Sequence, residues 1–319
     1  MIPNFNDIEW NGKTLGFDLL MLNDQCRNQF YQLSMNNIVG KTVLDIGSGT
    51  GLLSVLAVQQ GAKKVYAFEM DRNNYEISKK FIAQAGLAHK IELICADIMS
   101  VDRTCWPHED IDVIITETFA NDCFIQKFAM IVDHVERHFN LSANKQWIPN
   151  LITLKMGLID VEVKSEFEPG VQISASYKEQ INNAIKIYRD NFYHRHDEIN
   201  MQVAHIPWTK PHDWHPHLDN LIQIDQFAVD QRLQSNIQQS SYHLIFDHKR
   251  MKNPYIKIDW VLNSDNISLV LNQVTCWKSI AFKVDRDKGS NFYFRFNPNT
   301  HALIGSQLPS LPHKNILKT

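Results

Sequence analysis

Val43-Leu44-Asp45-Ile46-Gly47-Ser48-Gly49-Thr50-Gly51 is the stretch on which the reading of the fold turns. Its first four residues read as a short buried strand. The glycine-rich turn after them lets the backbone take positive φ and come close to a ligand. Leu52 to Gln60 then reads as a helix ended by Gly61. Its N-terminus offers N–H groups without helical partners and the positive end of a dipole. Outward from this unit the alternation continues. Val65 to Glu69 reads as a strand, Asn73 to Ala85 as a helix stopped by Gly86, and Ile91 to Ala96 and Ile111 to Glu117 as two more apolar strands. Short apolar strands alternating with helices predict a parallel sheet with helices on both faces, an α/β Rossmann-like domain.

The pattern changes after Trp147-Ile148-Pro149. Leu151, Thr153 and Lys155 begin a half-buried strand. Tyr242 to Phe246, Tyr255 to Val261, Ile267 to Leu271, Ser279 to Val284 and Phe292 to Phe296 are further strand-like runs. Polar turns such as Asn263-Ser264-Asp265-Asn266 join them, which predicts an antiparallel sandwich or barrel. Tyr177 to Arg195 reads as a helix inside this region. Pro149, which sets its own φ, is the expected junction between a domain of residues 1–148 and one of residues 149–319.

The composition narrows the function classes. With 319 residues, 44% of them hydrophobic, two cores can be buried. No run of eighteen apolar residues predicts a membrane span, and Met1 to Trp10 lacks the basic-then-apolar order of a secretory signal. The cysteines at 26, 95, 105, 123 and 276 form no CxxC pair, against a zinc site or disulfide framework and in favour of a reducing, cytoplasmic compartment. A net charge of −3 gives no footprint for nucleic acid. His194, His196, His205, His212, His215 and His217 sit among prolines and tryptophans with no helical i, i+4 pair, so an irregular loop is expected there rather than a metal site.

The glycine spacing, G-x-G-x-G after Asp45, is more typical of S-adenosylmethionine sites than of dinucleotide ones. Such a loop need fit only a compact sulfonium amino acid and no pyrophosphate. Glu69, at the end of the next strand and 18 residues after Gly51, is placed to accept two ribose hydroxyls. Asp97 follows the third strand, where it would meet the adenine amino group. All three acids lie at carboxyl ends of strands, where open α/β sheets bind ligands. Gly47, Gly49, Gly51, Leu52, Met70 and Ile98 complete the expected lining. An NAD or FAD domain is the alternative; the acidic residue suits it and the glycine spacing does not.

Val43 to Ser54, followed by Gly61-Ala62-Lys63-Lys64-Val65-Tyr66-Ala67-Phe68-Glu69-Met70, closely resembles the protein arginine methyltransferases. So does Met21-Leu22-Asn23-Asp24-Gln25-Cys26-Arg27-Asn28-Gln29-Phe30-Tyr31-Gln32, which looks like that family's helix whose arginine grips the cofactor carboxylate. The resemblance covers residues 15 to about 160 well and implies a class I methyltransferase domain followed by a β-barrel with a helical arm. Tyr177 to Arg195 would be the arm of a head-to-tail homodimer. It also implies that Arg27 and Met21 touch the cofactor, and that Glu117 in Thr116-Glu117-Thr118 holds the substrate guanidinium. Gln126 stands where the family has a second glutamate, Asp18 where it has a histidine, and Leu15-Gly16-Phe17 where it has tyrosines. Val274-Thr275-Cys276-Trp277 resembles the Thr-His-Trp loop with cysteine in place of histidine, and Trp277 would wall the pocket by cation–π contact. The expected activity is methyl transfer to a guanidine nitrogen of a protein or peptide. The departures leave open a small-metabolite or other acceptor, or an inactive partner subunit.

Overall fold

The computed structural model describes residues 21–102, 106, 110–119, 123–124, 127–160, 203–205, 221–251, 254–271 and 280–308. The predicted α/β alternation is present. A helix, α1 (Gln25–Ser34), precedes β1 (Thr42–Ile46), α2 (Leu52–Gln59), β2 (Lys64–Glu69), α3 (Arg72–Gln84), β3 (Ile91–Cys95), β4 (Ile111–Thr116), α4 (Phe128–His138) and β5 (Leu141–Ile148). The five strands pair in parallel in the order β3-β2-β1-β4-β5. The chain therefore winds one way from β1 to β3, then returns to the other side of β1. β1, β2 and β4 are almost continuously buried, as strands covered on both faces must be. The point between β1 and β4 is where such sheets open a crevice at their carboxyl ends.

Helix starts are set by side chains as well as by packing. Asp24 caps α1 by accepting the Arg27 N–H at 2.9 Å. Arg27, Phe30, Tyr31 and Ser34 then fall on one buried face with i, i+3, i+4, i+7 spacing. Asp71 caps α3 by accepting the N–H groups of Asn73 and Asn74, both at 2.9 Å. The turn into α4 passes through Lys127 at φ 63°, and Phe128, Ala129, Ile131, Val132 and Val135 carry its buried face.

The second half is antiparallel. β6 (Leu151–Asp160), β7 (Val203–His205), β8 (Ile222–Ala228), β10 (Pro254–Ser264), β11 (Ile267–Val270) and β12 (Ile280–Lys283) form one sheet. Its path runs β7-β12-β10-β6-β8, with β11 folded onto β10. α5 (Leu233–Gln239) follows β8, and β9 (Ser241–Ile245), β13 (Asn291–Phe296) and β14 (Leu303–Gln307) form a three-stranded sheet in the order β14-β13-β9. This antiparallel half is consistent with a barrel-like second domain.

Three features correct the sequence reading. α4 and β5 lie between the last predicted α/β strand and Pro149. β8, α5 and β14 were not anticipated, because their polar-rich patterns carry weak periodicity. Asn263-Ser264, expected in a turn, belongs to β10, and the turn begins at Asp265, at φ 53°. The Asn263 amide donates to the Leu151 carbonyl at 3.3 Å and to Thr153 Oγ1 at 3.0 Å, so its polarity is satisfied inside the ladder. The predicted helix at 177–195 lies outside the described residues.

The two halves meet through aromatic rings. Phe124, in the segment between β4 and α4, packs edge-on against Trp260 of β10 at 5.1 Å, Phe227 of β8 at 5.4 Å and Phe296 of β13 at 5.8 Å. α1 lies against β11, and α4 against α5.

Candidate functional site

The loop between β1 and α2 takes its shape from three left-handed glycines, with φ of 69° at Gly47, 55° at Gly49 and 85° at Gly51. Two of them also leave no room for a side chain. A Cβ on Gly47 would lie 3.0 Å from Thr118 Cγ2, and one on Gly51 would run into Ser78 Oγ of α3. The loop is tied to β2 by the Ser48 N–H, which donates to the Phe68 carbonyl at 2.9 Å. Glu69 completes the tie. Its Oε2 accepts the Gly49 N–H at 2.8 Å and its Oε1 accepts the Asp71 N–H at 2.7 Å. The residue is 6% exposed. A carboxylate thus sits at the end of β2, directly beside the glycine loop.

Asp45 lies beneath this loop rather than on it. It is 1% exposed, and its Oδ2 accepts the Ser54 hydroxyl of α2 at 2.6 Å. Its Oδ1 is buried with no hydrogen-bond partner. Burial pushes the carboxyl up to about 6, against the opposing effect of the Ser54 hydrogen bond. Asp45 therefore acts from below, by joining the end of β1 to the first turn of α2.

Arg27 and Glu117, 90 positions apart, are brought together by the docking of α1 across the end of β4. Arg27 Nη2 donates to Glu117 Oε2 at 2.7 Å, and both side chains are 6% exposed. Arg27 Nη1 donates to Asn28 Oδ1 at 2.7 Å. The guanidinium lies 5.6 Å from the centre of the Tyr31 ring, and the Tyr31 hydroxyl donates to the Thr116 carbonyl at 2.9 Å. Burial, and then the nearby Glu117 charge, push the Tyr31 phenol well above its ordinary range. Sequence reasoning missed Tyr31. Its i, i+4 spacing from Arg27 on a helix was the available signal.

The third acid, Asp97, is exposed at the end of β3, and its Oδ1 accepts the Met99 N–H at 2.9 Å. Ile98 next to it is buried. Met70, 71% exposed, follows Glu69. Met21 and Leu52 are half-buried. The structure thus gathers Gly47, Gly49, Gly51, Glu69, Met70, Asp97, Arg27 and Glu117 at the carboxyl ends of β1 to β4. Asp18, Gln126, Cys276 and Trp277 lie outside the described residues, as do His194, His196, His212, His215 and His217. Among the described residues no group of three or more His, Cys, Asp or Glu stands close enough to hold a metal ion.

Residues 16–119 match a family model described as O-methyltransferase. Protein arginine N-methyltransferase 9 of Mus musculus is 30% identical over 148 residues, which are 44% of this chain and 18% of that relative. Protein arginine N-methyltransferase 1 of Caenorhabditis elegans is 40% identical over 101 residues, 30% of this chain and 29% of the relative. The chain thus spans less than a third of the length of these curated relatives. Among solved structures, the crystal structure of PRMT6-SAH superposes with a TM-score of 0.64 at 14% identity, covering 91% of this chain and 98% of that one. The Trypanosoma brucei PRMT1 enzyme-prozyme heterotetrameric complex with AdoHcy gives 0.60 at 17% identity, covering 89% and 88%. At such identities these two structures speak for the fold alone. The family model and the two curated relatives differ in the acceptor atom that their names carry, oxygen or nitrogen. The residues matched by the family model, 16–119, contain the glycine loop.

Proposed function

We propose, from the premise that this chain belongs to the protein arginine methyltransferase family through a class I methyltransferase domain, that it transfers a methyl group from S-adenosylmethionine to a guanidine nitrogen of a protein or peptide. The observation that carries this reading is the buried 2.7 Å pair of Arg27 and Glu117 beside the glycine loop. It supports the reading because a cation suited to a cofactor carboxylate stands beside an anion suited to a substrate cation, at the switch point of the sheet.

The residues present fit the cofactor. Glu69, an acceptor at the end of β2, suits two vicinal hydroxyls. Asp97, whose Oδ1 accepts the Met99 N–H, has a second oxygen for an amino group. Arg27 suits a carboxylate, because a planar guanidinium has five N–H donors and can serve two acceptors at once. The left-handed glycines keep side chains off the loop. S-adenosylmethionine, when bound, supplies the electrophilic methyl group.

The protein's share is orientation and electrostatics. Glu117 holds the acceptor guanidinium and draws positive charge toward itself, which leaves the attacking nitrogen richer in electrons. Arg27 holds Glu117 through their 2.7 Å ion pair. Gln126 and Trp277 shape the mouth of the pocket in this reading. Residues 149–319 form the substrate domain, residues 177–195 the arm of a homodimer, and the cytoplasm is the compartment.

Calorimetry with S-adenosylmethionine and S-adenosylhomocysteine, followed by labelled-methyl transfer to arginine-rich peptides and to free arginine, tests the proposal. Saturable binding and label on peptide arginine are expected. Saturation by a nicotinamide or flavin dinucleotide instead, or label appearing only on a small metabolite, overturns it.

A further inference from the structure

We infer that Tyr31 is a positioning residue which, through the two ends of one side chain, sets both the cofactor-facing arginine and the substrate-facing glutamate; the inference rests on the methyl-transfer reading above. Tyr31 is 0% exposed, in the middle of the buried face of α1. Packing alone would be met by phenylalanine, and a buried hydroxyl is costly unless it finds a partner. Its partner here is the carbonyl of Thr116, the last residue of β4, at 2.9 Å. The next residue is Glu117.

The backbone around Glu117 is therefore held on both sides. Before it, Thr116 is clamped by the Tyr31 hydroxyl. After it, Thr118 Oγ1 lies 3.0 Å from Thr116 Oγ1, and Thr118 Cγ2 closes on Gly47 of the cofactor loop. The other end of the link is the Tyr31 ring. It lies under the Arg27 guanidinium at 5.6 Å, a platform that a cation favours by its attraction to the π face. Arg27 and Tyr31 are one helical turn apart, so their relation is set by α1 itself. Thr116 and Glu117 belong to the sheet. Tyr31 thus carries the register of the helix to the strand end. The phenol stays protonated at working pH and keeps donating, because burial and the Glu117 charge oppose its ionisation.

Two variants separate the two ends. Tyr31→Phe keeps the ring and removes the hydroxyl. Turnover of an arginine peptide should fall at least about tenfold, as misplacement of an orienting group does. The Kd for S-adenosylhomocysteine should hold within about twofold, since the loss of the ring attraction would be needed to weaken it further. Tyr31→Leu removes the ring as well, and should in addition weaken S-adenosylhomocysteine roughly fivefold, the range of an exposed-to-buried cation–π contact. A merely structural role would lower melting temperature and the fraction of active enzyme in both variants, with turnover per bound cofactor unchanged. Unchanged turnover per bound cofactor in Tyr31→Phe overturns the inference while leaving the methyl-transfer reading intact. A wild-type chain that binds no S-adenosylhomocysteine overturns both. If Tyr31→Leu does not fold, Tyr31→Phe alone decides.

Discussion

At the residue scale, two carboxylates of this site do opposite things for one reason, their surroundings. Glu117 is paired with a cation at 2.7 Å, whereas Asp45 faces a hydroxyl with one oxygen unanswered. Glu117→Gln keeps the shape and removes the charge. Turnover should fall by about 100-fold or more, in line with the loss of a single preorganised electrostatic contact, while cofactor binding persists. Calorimetry beside a methyl-transfer assay checks this, and a variant that turns over like the wild type would count against Glu117 as the acceptor's partner. Asp45 predicts a pH dependence. Its carboxyl titrates near 3.8 when unfolded and at about 6 when folded. In that window the native state holds the extra proton, so Asp45 lowers stability as pH rises through it, and the cost is complete above the folded value. The cost is on the order of 3 kcal/mol at about 1.4 kcal/mol per tenfold shift. Urea melts of Asp45→Asn across that range should show a flatter fall in stability than the wild type. A parallel pair of curves would sink the assignment.

At the element scale, the strand–loop–helix unit of β1 and α2 works because three successive glycines hold conformations other residues avoid. Gly51→Ala combines backbone strain at φ 85° with a collision against Ser78. A loss of roughly 1–3 kcal/mol is expected, since Ala is disfavoured where φ is positive and the side chain must also find room. Adding Ser78→Ala should recover part of it and leave the strain. Thermal melts of the single and double variants test this, and no recovery in the double variant would mean that strain alone matters. This unit was the most legible part of the chain. Strand, turn and helix follow one another within a few residues, so local pattern and local chemistry coincide. β8 and β14 were illegible because a sheet with one face toward solvent tolerates polar residues at many positions, and Asn263 looked like a turn residue because its partners, among them Thr153 across the ladder, appear only in the folded sheet.

At the scale of the whole molecule, Phe124 joins the site to the antiparallel half. It leaves the loop that follows Glu117 and inserts among Phe128, Phe227, Trp260 and Phe296. Phe124→Ala should cost about 3–5 kcal/mol, the usual range for emptying a buried aromatic site. Because the same segment begins at Glu117, the proposed partner of the acceptor, turnover per bound cofactor should fall as well. Denaturant titration with both far-UV and near-UV signals, together with a kinetic assay, checks the two effects. Lost stability with unchanged turnover would show that the loop is held by other contacts.

The amino-acid sequence by itself determined the parallel sheet, the glycine loop and the acids at the strand ends, because each of these is written in periods of two or 3.6 and in residues with special backbone freedom. Only the tertiary structure decided that Arg27 meets Glu117, that Tyr31 reaches Thr116, and that Asp45 works from beneath the loop. Those relations join residues as much as 90 positions apart, and they exist only once α1 has docked across the end of β4, where its buried polar groups must find hydrogen-bond partners.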